Sequence, residues 1–198
     1  MRILTLTLLL VAPLPTTLAA QARFELTFGA MAGTKLLEDR IFQKITVTQK
    51  IAPTVTLGAS MPVSDRERVG LEVGLGSTKT RVTEAGLPLV AGPGFRTLSI
   101  TAGVTGPLLH RFTYRGGAGM LKYLPDKEGI FRSGGPLLLI LTGGVDYHFP
   151  LRGPIGLAAR IRYDYQRFST DALQVIGFSR TQDIHRVGLG LGIEYQSP

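Results

Sequence analysis

The sequence predicts an all-β chain, an eight-stranded antiparallel up-and-down barrel that crosses a membrane on its strands, and three observations carry this. A removable apolar leader precedes a chain with no further apolar run long enough for a spanning helix. Period-two alternation recurs in eight segments. The connections between those segments alternate between short and long.

The leader comes first in the chain. Arg2 is followed by the apolar stretch Ile3 to Leu18 and by small residues at Ala20-Gln21-Ala22, the order of parts in a secretory signal peptide. Pro13 and Pro15 interrupt the stretch, which is shorter than the ~20 residues a spanning helix needs, so an anchor is the poorer reading. Cleavage after Ala22 divides the chain into a signal peptide, 1–22, and one barrel domain, 23–198. There is no cysteine, so an exported chain of this size must hold together without disulfides.

The eight segments follow in order. Phe24, Leu26, Phe28 and Ala30 alternate with Glu25, Thr27, Gly29 and Met31; Val55, Leu57, Ala59 and Met61 alternate with Thr54, Thr56, Gly58 and Ser60. Val69, Leu71, Val73 and Leu75 oppose Gly70, Glu72, Gly74 and Gly76, and Leu98, Ile100, Ala102 and Val104 oppose Thr97, Ser99, Thr101 and Gly103. The fifth sets Phe112, Tyr114, Ala118 and Met120 against Thr113, Arg115, Gly117 and Gly119. The sixth is apolar on both faces from Leu137 to Leu141 before Thr142, Gly144, Asp146 and His148 restore a polar side. The seventh alternates Ile155, Leu157, Ala159, Ile161, Tyr163 and Tyr165 with Gly156, Arg160, Arg162, Asp164 and Gln166; the eighth alternates Val187, Leu189, Leu191, Ile193 and Tyr195 with Arg186, Gly188, Gly190, Gly192 and Glu194. With its flanks each segment reaches the roughly 9 to 11 residues of a tilted membrane strand.

Short turns are expected around Ser64-Asp65-Arg66, Pro107-Leu108-Leu109 and Pro150 to Pro154, and long connections at Thr34 to Gln43, Thr83 to Phe95, Leu124 to Gly135 and Ser169 to Asp183. Short turns on one rim and long loops on the other place the short side in the periplasm. Phe24, Phe112, Tyr114, Tyr147, Phe149 and Tyr195 then fall near the periplasmic rim, where an aromatic girdle belongs; Tyr163, Tyr165 and Phe168 fall toward the other.

In these features the chain resembles the small outer-membrane barrels of the OmpA, OmpX and opacity-protein kind over nearly its whole mature length. The last strand, Val187-Gly188-Leu189-Gly190-Leu191-Gly192-Ile193-Glu194-Tyr195, carries the most specific part of the resemblance, although Gln196-Ser197-Pro198 follow the aromatic on which that family usually ends. The resemblance implies residence in the cell outer membrane, contact with its lipid or lipopolysaccharide, and a final strand read by the barrel assembly machinery. It transfers no catalytic motif.

On this phase Glu25, Glu72, Arg115, Asp146, Arg160, Arg162, Asp164 and Glu194 point into the lumen. An eight-stranded barrel is just wide enough for side chains to fill, and mixed signs in so narrow a space favour a structural network of ion pairs over a conducting pore. Other function classes are less well supported. The net charge of +8 is scattered, with no basic stripe interleaved with aromatics, so no nucleic-acid partner is expected and lipid headgroups are the better destination. His110, His148 and His185 lack a serine two residues away on their own strand face and lack metal-ligand spacing, so no enzyme, cofactor or metal site is expected. A soluble lipocalin-like barrel would carry its charges outside, whereas the polar faces here are Gly, Thr and Ser with a few charges. A structural, surface-interaction or adhesion role for a monomeric barrel is the leading expectation, with a small-solute pore and a lipid-modifying barrel as alternatives.

Overall fold

The computed structural model describes residues 21–40, 44–84, 87–125, 137–149, 151, 153–168 and 182–197; nearly all of the segment expected to be a signal peptide and most of the two connections before Leu138 and Gln182 lie outside the described residues. Eight strands close a barrel: β1 (Arg23–Gly33), β4 (Ala52–Pro62), β5 (Arg68–Glu84), β6 (Leu87–Leu109), β7 (Phe112–Pro125), β8 (Leu138–Phe149), β9 (Ile155–Phe168) and β10 (Gln182–Gln196). Each pairs antiparallel with its neighbours in the chain, and β1 pairs with β10 from Arg23↔Gln196 to Gly33↔Arg186, so the ring has no open edge. Among the described residues no helix is long and apolar enough to cross a membrane. Closure does the same work, because every backbone donor and acceptor inside the hydrocarbon then has a partner.

The alternation read in the sequence is the alternation of burial. Leu57, Leu71, Leu139 and Leu191 are exposed on the outside, while their neighbours Glu72, Leu138, Ile140 and Gly192 are buried inside. A lipocalin-like arrangement, apolar inside and polar outside, is thereby overturned for the membrane-height part of the barrel. Glycine sets the close approach of β6 and β7: a Cβ on Gly119 would sit 2.0 Å from the Ile100 carbonyl oxygen. The strand ends are staggered around the ring. Arg68 at the start of β5 lies opposite Thr105, short of the end of β6 at Leu109, and Phe112 lies opposite Tyr147, short of the end of β8 at Phe149.

Three expectations about the connections need correction. Thr34 to Gln43 is not a simple loop: β2 (Lys35–Arg40) and β3 (Lys44–Gln49) form a hairpin, and β3 pairs with the far end of β5 from Ile45↔Glu84 to Gln49↔Thr80. Thr83 to Phe95 is mostly strand, because β5 and β6 continue pairing as far as Glu84↔Leu87. Alternation at Ile45, Val47 and at Val82 against threonines makes this ribbon. Pro107 to Leu109 belongs to the end of β6, and the turn itself is His110-Arg111, with His110 at φ 46°. The proline at 107 can sit inside the strand because it is next to a register irregularity between Pro107 and Leu109.

The aromatic girdle lies on the rim of the short turns, where the pattern puts it. Phe24 and Tyr195 are register partners, as are Phe112 and Tyr147. Edge-on contacts join Phe112 to Tyr147 at 4.9 Å and Tyr147 to Phe149 at 4.7 Å between ring centres. Tyr114 instead donates its hydroxyl to Glu67 in the β4–β5 turn at 3.0 Å.

Candidate functional site

The lumen is filled in storeys, each set by which residue type takes the inward phase at that height. At the mouth on the short-turn rim, expected to be the periplasmic one, Thr113 of β7, His148 of β8 and Glu194 of β10 form a clasp. Thr113 Oγ1 lies 2.8 Å from one ring nitrogen of His148, and the other ring nitrogen lies 2.9 Å from Glu194 Oε2. The second carboxylate oxygen of Glu194 is buried with no hydrogen-bond partner among the described residues.

Above the clasp sits an ion-pair network. The Arg115 guanidinium donates to Glu25 at 2.8 Å, Glu72 at 2.7 Å and Asp146 at 2.8 Å. Arg160 donates to Glu25 at 2.6 Å and to both oxygens of Asp146 at 2.8 and 3.2 Å, and its third nitrogen lies 3.5 Å from Glu72. Arg162 joins Glu72 at 3.2 Å to Asp164 at 2.7 Å. Seven of the eight inward residues singled out in the sequence thus form one connected network drawn from β1, β5, β7, β8 and β9. Glu194 is apart from it and belongs to the clasp. Planar, forked guanidinium groups suit this task, since each can hold several carboxylates at once.

Next comes a small chamber walled by Thr27, Met31, Thr56, Leu121, Arg162 and Arg186. Arg186, 5% exposed, donates to Gln166 Oε1 at 2.9 Å, and Gln166 in turn donates to the Tyr123 hydroxyl. Above this the lumen turns largely apolar, with Thr78, Thr80 and Gln182 buried at the same end. Leu36 and Val47 of the β2–β3 hairpin pack with Phe95, Leu121, Tyr123, Leu138, Ile140 and Ile184 in a buried apolar cluster. Phe95 and Tyr123 meet edge-on at 5.2 Å.

Two of these storeys were not anticipated from sequence. The apolar cap was hidden in the run Leu137 to Leu141, whose two faces look alike until the register shows Leu138 and Ile140 inward. The clasp is a cross-strand constellation, and a search along each strand face finds no partner for His148. In order it matches nucleophile, base and orienting carboxylate, so the absence of a paired histidine expected from sequence is corrected. Acyl transfer also needs donors aimed at a developing oxyanion. Here the His148 amide is spent on the Arg111 carbonyl at 2.9 Å, and Thr113 lies in the β6–β7–β8 ladder. His185 faces outward at the far rim, 2.6 Å from the Tyr163 hydroxyl, and Tyr165 donates to Asp183 at 2.7 Å. Among the described residues no group of three or more His, Asp or Glu side chains is placed to hold a metal ion.

No protein-family model matches the chain, and no curated protein is similar to it in sequence. Solved structures do match. The outer membrane protein OprG from Pseudomonas aeruginosa superposes with a TM-score of 0.57 at 14% identity, covering 89% of this chain and 96% of that one. The outer membrane protein AlkL, solved in lipid bilayers, gives 0.57 at 13% identity over 89% and 90% of the two chains. Neisserial surface protein A gives 0.52 at 13% identity over 88% and 96%. The fold is that of the small outer-membrane β-barrels, shared across nearly the whole of each chain.

Proposed function

We propose that this protein is an integral outer-membrane barrel that acts through its surface, with the lumen serving as a structural plug and not as a path. The observation that carries the reading is the stacking of two unlike seals. Arg115 and Arg160 each hold Glu25, Glu72 and Asp146 across the width of the barrel, and the apolar cluster around Ile140 and Ile184 lies above them. A solute would have to separate charges already paired in a narrow space and then pass a buried, largely apolar layer. The eight inward residues are in this reading structural: they fill and neutralise.

The same reading gives the barrel no catalytic role, because the Thr113–His148–Glu194 clasp lies where the amide of His148 is already engaged and Thr113 sits in a paired strand. It also takes the protein to work as a single chain, its ring being complete without a partner. What is left for interaction is the outer end, where β2, β3, β5 and β6 stand as a ribbon beyond the apolar belt. Conductance across planar lipid bilayers tests the proposal: rare or negligible openings are expected from the wild type. Steady channels of large conductance would replace the plug by a small-solute pore.

A further inference from the structure

The outward face changes character abruptly at the outer end of three neighbouring strands. On β5 the exposed series Val69, Leu71, Val73, Leu75 passes through Ser77 to Lys79 and Arg81. On β6 the series Val104, Ala102, Ile100, Leu98 ends at Arg96, and on β7 Ala118 and Met120 give way to Lys122. Register ties these cations together. Ser77 is opposite Arg96, so Lys79 and Arg96 are diagonal neighbours; Arg96 is opposite Leu124, so Arg96 and Lys122 are diagonal neighbours too. Diagonal neighbours lie about 7–8 Å apart, within the span of long side chains. Each diagonal steps toward the periplasmic end on passing from β5 to β6 to β7. That is the sense in which the strand ends themselves are staggered, so Lys79, Arg96 and Lys122 stand near one height.

The other side of the rim is built differently. β9 and β10 present Tyr163, Tyr165 and His185 there, already hydrogen-bonded among themselves and to Asp183, and Arg167 is 3.6 Å from Asp183. On the β5–β7 side no described carboxylate pairs with Lys79, Arg81 or Lys122. Cations immediately beyond a lipid-facing apolar belt sit at the level of the headgroups.

We propose that Lys79, Arg81, Arg96 and Lys122 form a docking site for the phosphate groups of an outer-leaflet glycolipid, whose acyl chains lie against Leu75, Leu98 and Met120 below. The charge complementarity suits a phosphorylated lipid, and the three-strand spacing fits a headgroup that carries more than one phosphate. This rests on the outer-membrane reading above. Failure of that reading would appear as absence of the chain from outer-membrane fractions, whereas failure of the site appears only in lipid retention.

The test uses the mature chain folded in phosphatidylcholine nanodiscs doped with bisphosphorylated lipid A, with retained lipid counted by native mass spectrometry. Wild type should hold the bisphosphorylated form roughly tenfold more tightly than the dephosphorylated form, each nearby cation adding to the attraction. The triple variant Lys79→Gln, Arg81→Gln, Lys122→Gln should lose that preference, the charge-keeping Lys79→Arg, Arg81→Lys, Lys122→Arg should keep it, and Arg167→Gln should leave it unchanged. Equal retention of the two lipid A forms by wild type overturns the proposal. So does a folded triple variant that retains the preference. The headgroup comparison needs only the wild-type chain, so it decides the matter even where the triple variant does not fold.

Discussion

Arg160 and Asp146 are register partners across β9 and β8, and their side chains meet inside the barrel with Arg160 Nε 2.8 Å from Asp146 Oδ1. Both are almost fully buried, at 6% and 1% exposure, so neither charge has water to fall back on. Arg160→Met is therefore expected to destabilise the folded barrel by about 3 kcal/mol or more, because it strands carboxylates and not because a pair in itself is strongly stabilising. Urea titration in detergent measures this. The double variant Arg160→Met, Asp146→Leu should cost less than the sum of the two single changes by about 1–3 kcal/mol; additive losses would show that the two groups do not act as a unit.

The two seals should fail independently. Arg160→Ala opens the charged storey but leaves Ile140, Ile184, Leu121 and Phe95 packed above it; Ile140→Ser loosens the cap but leaves the ion pairs below. Each single variant is expected to stay close to wild-type conductance in planar bilayers, and the combination to show frequent openings. A single variant that conducts as well as the combination would mean that one storey alone closes the lumen.

The periplasmic clasp should hold the barrel mouth. Thr113→Val removes the partner of one His148 nitrogen, and Glu194→Gln replaces the carboxylate at the other. Either change is expected to cost about 1–2 kcal/mol, the range for a partly buried hydrogen bond whose partner is left unsatisfied. Hydrogen exchange should localise the loss to the amides around His148 at the end of β8 and around Glu194 in β10, leaving Ile140 and Ile184 protected. A uniform change along both strands would argue against a local clasp.

Orientation can be read with single cysteines, since the chain has none of its own. Asp65→Cys, exposed in the β4–β5 turn, should react with an impermeant maleimide only after the outer membrane is opened, whereas Thr34→Cys, exposed between β1 and β2, should react on intact cells. The opposite pattern would invert the barrel.

Much of this structure can be read in the sequence because the membrane leaves the strands few choices. Leu189, Leu191 and Ile193 must face lipid, so Gly188, Gly190 and Gly192 must face the lumen, and the same parity puts Arg160, Arg162 and Asp164 inside without any knowledge of their partners. Parity is silent where both faces are apolar, which is why Leu138 and Ile140 were not separable from Leu139 and Leu141. It is equally silent about contacts across strands. Which carboxylate meets Arg115, or that Thr113 meets His148, depends on register, and register depends on the turns. The β2–β3 hairpin was legible in part: Ile45 and Val47 alternate with Thr46 and Thr48, but the segment is too short to cross a bilayer and is easily passed over when only spanning strands are sought.

The seam between β1 and β10 joins residues far apart in the sequence, Arg23 beside Gln196, and Glu25 meets Arg160 across 135 positions of sequence. The first contact cannot exist before β10 has been made, nor the second before β9. Before the seam zips, the nascent sheet must carry Glu25, Glu72 and Asp146 on a concave surface with only part of their complement of arginines, so partly assembled chains prefer water to hydrocarbon on that face. Closing the ring removes this preference at the same moment as it hides the last unpaired strand edges. Insertion is thereby coupled to closure: a chain truncated before Gln182 would keep its lipid-facing pattern and all seven members of the Arg115–Arg160 network, yet lack the strand that joins β1 to β9, and is expected to stall at the membrane surface with two strand edges unpaired.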